Sequence, residues 1–499
     1  MSRVKKEKDI SSGRANPARS YSRGLKQASI LRADPVLKSI HSLAQKEDTE
    51  VYLVGGLIRN LILSEKIVPD YDFAVKDGLK GFPDKIAALL KGTAFVLDKE
   101  TPSYRVVVKK GDEKLTLDFS PVKDNDIILD LKKRDFTVNA SAISLPELFE
   151  GKKPLIDPLG CLSDAKRKVL RAASSGAFKD DPLRCLRAVR LSQQYGLKID
   201  PSTIKLIKGS AKLLKRTSAE RIRDELIIIF TTPGTAKSLR LLFDLSIIKT
   251  ILPEIAGWDD VEGYDLLAHS LKTVTEAEKA LSGLSARTFP KVYKELKAHF
   301  SGSIGPVGKG AFFKLAAFFH DTGKPYTISR QQGRLRFIGH DFEGSRLVKD
   351  ILRRLKFSRA FIGEASNLIK NHHRVFMLAK LEEATPRAKA HLLRASGDEA
   401  GVDLLLLSLA DARATRGGED KELSKLVKEM LEFYYGAYKR KRPKPLLTGH
   451  EIMRIFSVPE GSLVGQIMNK VSEGVEAGAI KNKRQAIRNV KDWLSKEKA

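Results

Sequence analysis

From Val51 to Val75 the sequence sets a short β-branched run, two glycines, an apolar helix and a second strand in direct succession, an order that few folds accommodate. Val51-Tyr52-Leu53-Val54 reads as a strand ending in Gly55-Gly56. A helix follows through Leu57 to Leu63, then Tyr71-Asp72-Phe73-Ala74-Val75 as the next strand. Asp70 and Asp72 stand one residue apart where that strand begins. Side chains two apart on a strand share a face, so both carboxylates converge on one place. With no basic residue between them they repel. A hard cation such as Mg²⁺ relieves that repulsion and keeps positions open for phosphate. Asp118, in the strand Leu115 to Phe119, is a candidate third carboxylate. The glycines let backbone approach a phosphate, and the helix behind them offers free N–H groups to an anion. Arg59, about one turn into that helix, is placed to pair with the same triphosphate. Nucleotidyl transfer needs this close pairing of phosphate binding and cation binding.

Phe95 to Leu97, Tyr104 to Val108 and Leu115 to Phe119 read as further strands. Beyond about Asp181 the pattern changes. Leu183 to Leu191 and Ala219 to Phe230 carry apolar residues at helical spacing with basic residues between them. The expected fold is therefore an α/β head with a small mixed sheet, followed by mostly α-helical domains. Gly302 to Gly310 reads as a loop, and Lys439 to Lys444 as a basic, proline-bearing linker before a last helical segment.

The motifs themselves are recognisable. Leu53-Val54-Gly55-Gly56-Leu57-Ile58-Arg59, followed by Pro69-Asp70-Tyr71-Asp72-Phe73, resembles the first motif of the class II tRNA nucleotidyltransferase and bacterial poly(A) polymerase family. Lys133 to Ala140 resembles the second, whose Arg-Asp pair places the nucleotide sugar and phosphates; Arg134 and Asp135 stand there. Asp180-Asp181-Pro182-Leu183-Arg184-Cys185-Leu186-Arg187-Ala188 resembles a third, usually Glu-Asp-Pro-Leu-Arg, whose Asp and Arg pair with the Watson–Crick edge of the incoming base. Asp181 and Arg184 occupy those positions, with Arg187 a further nucleotide-binding candidate. Three apart, Asp181 and Arg184 are expected to share a helix face. Glu220 to Leu226 resembles the next helical motif.

The resemblance implies a polymerase-beta-like head with catalytic Asp70, Asp72 and Asp118, Mg²⁺ on the first two, and a protein-made template for adenine and cytosine, which both carry an amine. Asn60 and Asp180 replace the family's usual Asp and Glu. Full CCA-adding members commonly carry a flexible loop between the positions of Asp118 and Arg134 that helps switch from CTP to ATP. Here the segment Pro121 to Asp130 is short, which leaves CC-addition, A-addition or poly(A) synthesis open.

Histidines form a second constellation. His269, His320-Asp321, His340, His372-His373 and Asp411 resemble the HD metal-dependent phosphohydrolase superfamily, in which His and Asp residues from several helices bind a divalent ion. His269, His320, Asp321, His340, His372 and Asp411 are the expected ligands, with His373 competing for the place of His372. Imidazole with carboxylate suits Mn²⁺, Ni²⁺, Fe²⁺ or Mg²⁺ better than structural zinc. His450 lies near a helix start that Thr448 is placed to cap, and carries no assigned chemistry.

Lys and Arg total 90 against 61 Asp and Glu in 499 residues, a net charge of +29 that favours a polyanionic partner. Lys166 to Arg171 and Lys205 to Arg216 are candidate phosphate contacts. The two cysteines, Cys161 and Cys185, form no CxxC pattern, and no apolar stretch is long enough to cross a membrane, so a cytoplasmic location is expected. The expected organisation is a basic disordered arm (1–34), a nucleotidyltransferase head (35–147), a helical nucleotide- and RNA-binding neck (148–255), an HD domain (256–430) and a helical tail (431–499). The expected reaction adds CCA, or part of it, to tRNA from CTP and ATP with release of pyrophosphate. The rivals are a poly(A) polymerase acting on general RNA and an HD phosphohydrolase whose head only tethers RNA.

Overall fold

The structure, a computed structural model, describes residues 29–63, 70–98, 102–110, 113–381, 383–439, 446–476 and 479–497. Most of the expected basic arm, and all of the expected linker except Lys439, lie outside these residues. Residues 29–34, assigned to the arm from sequence, pack onto the head instead. Leu31 is buried there, and Asp34 caps the helix Pro35–Lys46 through the Val36 N–H at 2.8 Å while accepting from the Tyr71 hydroxyl at 2.6 Å.

The head is built on one mixed sheet of seven strands: β1 (Glu50–Val54), β2 (Asp70–Lys76), β3 (Thr93–Asp98), β4 (Ser103–Lys110), β5 (Glu113–Pro121), β6 (Ala142–Ser144) and β7 (Leu155–Ile156). Their spatial order is β3-β4-β5-β2-β1-β6-β7, with β2 and β5 parallel and the other neighbours antiparallel. The five strands read from sequence are all present, each extended by one or two residues at one or both ends. On one face Leu53, Tyr71, Phe73, Leu117 and Phe119 form the larger core with the helices Pro35–Lys46 and Phe82–Leu90. Tyr52, Val54, Ala74 and Ala142 form a smaller cluster on the other face, closed by Val122, Leu131 and Ala140.

The chain is then mainly helical. The neck and the HD region share one continuous apolar core, running from Phe136 to Tyr434 through fully buried Trp258, which packs on Phe318 at 5.4 Å between ring centroids. The tail has a separate small core around Leu447, Ile452 and Ile467. Thr448 does cap its first helix, in a capping box with Glu451. Gly302–Gly310 is not a plain loop. Ser303–Ile304 and Val307–Gly308 pair as a hairpin, and the helix Lys309–Phe319 begins inside the span because its apolar residues need burial in the core.

Candidate functional site

Alternation along β2 and β5 sends Tyr71, Phe73, Leu117 and Phe119 into the larger head core, so Asp70, Asp72 and Asp118 emerge on the opposite face. Asp72 lies opposite Val54 in β1 and opposite Asp118 in β5. The sheet register thus sets all three carboxylates beside the turn that follows β1. Gly55 there is left-handed, at φ 78°, and a Cβ on it would collide with the Asp72 carboxylate. Both the conformation and the close approach demand glycine. The Gly56 backbone N–H lies on the side of Asp72 and favours its charged form.

Burial and then Asp118 raise the Asp70 pKa above its ordinary value; burial, then Asp70 and Asp118, raise that of Asp72. A carboxylate pair that favours neutralisation, made of oxygen donors alone, fits a hard divalent cation such as Mg²⁺. Asp118 reaches the same face but is already engaged. Arg105, directly across in β4, donates Nε to Oδ1 at 2.7 Å and Nη2 to Oδ2 at 2.6 Å. Arg105 belongs to none of the recognisable motifs. Its only sequence signal is the alternation of β4, which puts it on the polar face of the sheet.

The motif arginines are drawn into the seam between head and neck. Arg59 donates to Asn139 Oδ1 at 2.9 Å and to the Tyr195 hydroxyl at 2.6 Å, with its guanidinium 4.3 Å from the centre of the Tyr195 ring. Asn60, at the family's Asp position, also accepts from Arg59. Arg134 pairs with Asp130 at 3.2 Å and lies close enough to Asp72 to stabilise its charge. Asp135 is buried, accepts from the Phe136 N–H at 2.8 Å and Asn139 Nδ2 at 3.0 Å, and faces Arg187 at 3.0 Å.

Asp181 and Arg184 do not share a helix face. Proline disfavours helical backbone in the residue before it, so Asp181 is extended and the helix starts at Arg184. Asp181 caps the Leu183 N–H at 3.2 Å and pairs with Arg221 at 2.8 Å. Arg184 donates to the carbonyls of Lys133 (3.1 Å), Arg134 (3.3 Å) and Ala177 (3.1 Å), tying the third motif to the second. The fourth motif is brought in by Arg221 and by Glu225, which accepts from Arg190 at 2.6 Å.

The segment between Asp118 and Arg134 is compact. A short turn at Lys123–Asn125 leads to the helix Ile127–Lys132, which Asp126 caps at the Ile128 N–H (2.7 Å).

In the helical half, His269, His320 and Asp411 form one group, and Asp321, His340 and His372 another; within each group the ligand atoms lie within 4.8 Å of one another. Asp321 joins the two. Its Oδ2 is 3.1 Å from the Nε2 atoms of both His269 and His320, and its Oδ1 is 3.3 Å from His340 Nε2 and 3.6 Å from His372 Nε2. His320, His340 and His372 each set Nδ1 against a backbone carbonyl, those of Ala317, Phe337 and Ile369 at 2.9, 2.7 and 2.6 Å. An imidazole fixed in that way aims Nε2 inward, the usual support of a metal ligand. Of the two competing histidines, His372 lies in the second group, while His373 is outside both groups and packs on Phe376.

Burial opposes charge on His320, but Asp321 and Asp411 outweigh it and push its pKa up to about 10. Burial also works against the Asp321 carboxylate, yet His320 and Lys324 hold its pKa well below the usual range. The centre therefore favours positive charge, and four imidazoles with two carboxylates suit a divalent transition metal or Mg²⁺. Lys324 supplies part of that charge, its ammonium 2.6 Å from Asp321 Oδ2.

Comparison with known proteins follows the same division. Residues 51–171 match the poly A polymerase head domain, residues 196–258 the probable RNA and SrmB-binding site of polymerase A, and residues 311–448 the HD domain. The A-adding tRNA nucleotidyltransferase of Deinococcus radiodurans is 32% identical over 454 residues, 88% of this chain and 95% of the relative. The CC-adding tRNA nucleotidyltransferase of Geobacter sulfurreducens is 29% identical over 91% of this chain and 94% of the relative. Among solved structures, the Thermotoga maritima CCA-adding enzyme complexed with tRNA shares the fold, with a TM-score of 0.58 at 22% identity over 94% of this chain and 98% of its own. With its head motifs on one sheet face and its histidine cluster in the helical half, the chain belongs to the tRNA nucleotidyltransferase and bacterial poly(A) polymerase family, as an HD-domain-containing member.

Proposed function

We propose that this protein adds nucleotides to the 3′ end of tRNA from CTP or ATP with release of pyrophosphate, and that it supplies part of the CCA terminus, either CC or A. The placement of Asp70 and Asp72 beside the Gly55-Gly56 turn carries this reading. Asp70 and Asp72 would hold Mg²⁺, which when bound favours ionisation of the attacking hydroxyl and offsets the charge of the leaving pyrophosphate. The turn and the helix start behind it would cradle phosphates. Arg134 and Asp135 would place the sugar and phosphates, and Asp181 and Arg184 would read the base, Asp181 accepting from its exocyclic amine. The tRNA 3′-oxygen then attacks the α-phosphorus as the bond to pyrophosphate breaks.

The compact segment between Asp118 and Arg134 supports the restriction to CC or A, because a capped helix there gives little length for a lever that switches bases. By sequence, the A-adding and CC-adding relatives are matched along nearly their whole length and the CCA-adding enzyme of Lactobacillus johnsonii over 54% of its length, although the Thermotoga maritima CCA-adding enzyme shares the fold over 98% of its chain at 22% identity. A cytoplasmic setting belongs to the same reading; both cysteines are buried free thiols. The test is incorporation of labelled CTP and ATP, each alone and together, on tRNA ending before CCA, tRNA ending in CC, and an unrelated RNA. Addition limited to CC or to a single A, on tRNA only, is expected. A complete CCA on tRNA would overturn the restriction, and long A tails on both RNAs would make the protein a poly(A) polymerase.

A second reading, metal-dependent hydrolysis of a phosphate ester at the HD cluster, is favoured by the three imidazoles locked through Nδ1. It is tested by release of phosphate from model monoesters and cyclic phosphates with Mn²⁺, Ni²⁺ or Mg²⁺, and by its absence in His340→Ala.

A further inference from the structure

The approach to the HD cluster is lined by side chains that its chemistry does not use. Immediately after His320-Asp321 the chain turns through Lys324–Tyr326 and forms a small hairpin, Ser329–Gln331 paired with Arg334–Arg336, before returning at His340. Phe337, at the foot of the hairpin, packs on Tyr264 at 5.6 Å and beneath the Lys324 ammonium at 5.4 Å, and its carbonyl is the one that orients His340. The hairpin is thus fastened to the wall of the cluster.

Large apolar side chains around it face solvent: Tyr326 is 52% exposed, Phe342 64% and Ile338 78%. Each lies within about two residues of a cluster residue or of Lys324, so this exposed apolar surface borders the cluster. Cations are interleaved with them. Arg334 and Arg336 are exposed and have no acidic partner among the described residues, Arg330 is held by Glu262 at 3.2 Å, and Lys370 lies 5.7 Å from the centre of the Phe342 ring.

We propose that this hairpin and rim form a platform for single-stranded RNA, separate from the polymerising site, that leads an RNA end toward the HD cluster. Aromatic faces stack bases regardless of sequence, while unpaired arginines beside them take the intervening phosphates. Neither element explains the other without a ligand that is apolar and anionic in alternation. A protein partner would have to supply the same alternation from acidic and apolar side chains, and the net charge of +29 opposes a second copy of this chain. The choice of RNA over another polyanion rests on the function proposed above.

The test is binding of a fluorescent single-stranded RNA of about twelve nucleotides to the full chain across a salt series, followed by anisotropy. The double variant Arg334→Glu/Arg336→Glu should raise Kd about tenfold and reduce the slope of log K against log salt by about 1.4, as for two lost phosphate contacts on a single strand. Phe342→Ala should raise Kd about tenfold and leave the slope unchanged, the mark of lost stacking. Both variants should still extend tRNA like the parent chain, and that parallel assay separates failure of this proposal from failure of the polymerase reading. Unchanged Kd in both variants would overturn the platform. Equal competition by free AMP would show a mononucleotide site instead, and a change confined to self-association in sedimentation would show an interface between copies.

Discussion

The head gathers its carboxylates from two adjacent strands, whereas the helical half draws four histidines and two aspartates from five helices or the turns that end them. In the head, neither Asp70 nor Asp72 has a paired cation among the described residues, and burial and neighbouring carboxylates outweigh the help of Arg105 and Arg134, so a bound cation or a proton would relieve them. In the HD cluster nearly every polar atom has a partner, and Lys324 already sits on Asp321. The first site holds charge in readiness for a ligand. The second holds the fold together as well. Removing a carboxylate should therefore have opposite consequences in the two places.

The largest expected difference is in stability. Asp321→Ala leaves the Lys324 ammonium buried without its counter-charge, and should cost about 3–5 kcal/mol in urea unfolding. Asp72→Ala removes a repelling charge and should leave the unfolding midpoint unchanged or slightly raised. Equal destabilisation by the two would break the contrast. Next in size, Gly55→Ala forces an L-residue into left-handed backbone, a cost of about 1–2 kcal/mol, and drives its methyl into Asp72. Nucleotide incorporation should fall about tenfold or more, while the hydrolysis proposed as a second reading for the HD cluster should not change with it. The smallest effect concerns Arg105. Its pair with Asp118 is partly exposed, so Arg105→Ala should change stability by under about 1 kcal/mol. Freed of Arg105, Asp118 becomes available as a third ligand, and the Mg²⁺ concentration for half-maximal incorporation should drop several-fold. A rise would show that Arg105 orders the site.

The same contrast explains what the sequence made legible. β1, β2 and β5 announce themselves because their alternation is local and their boundaries are glycines and turns, and with them came Asp70, Asp72 and Gly55. β6 and β7, of three and two residues, are too short to show a period. The residues of the HD cluster were legible as types, yet bringing His372 rather than His373 into it needed the helix end at Asn371 to orient the ring. Asp181 and Arg184 were expected on one helix face, and Pro182 alone carried the contrary signal. Arg105 had only the alternation of β4 to mark its face and Tyr195 had no signal, since their roles depend on the register of β4 with β5 and on how the neck docks against Arg59. Long-range contacts of that kind leave no periodic trace.

The most direct test is labelled-nucleotide incorporation into tRNA lacking all or part of its terminus, comparing the parent chain with Asp70→Ala, Asp72→Ala and His340→Ala in Mg²⁺. The two head variants should lose incorporation by about 10²- to 10³-fold, the several kcal/mol expected for a lost metal ligand, and His340→Ala should retain it. Incorporation that survives in both head variants, or fails only in His340→Ala, would contradict the assignment of nucleotide addition to the head.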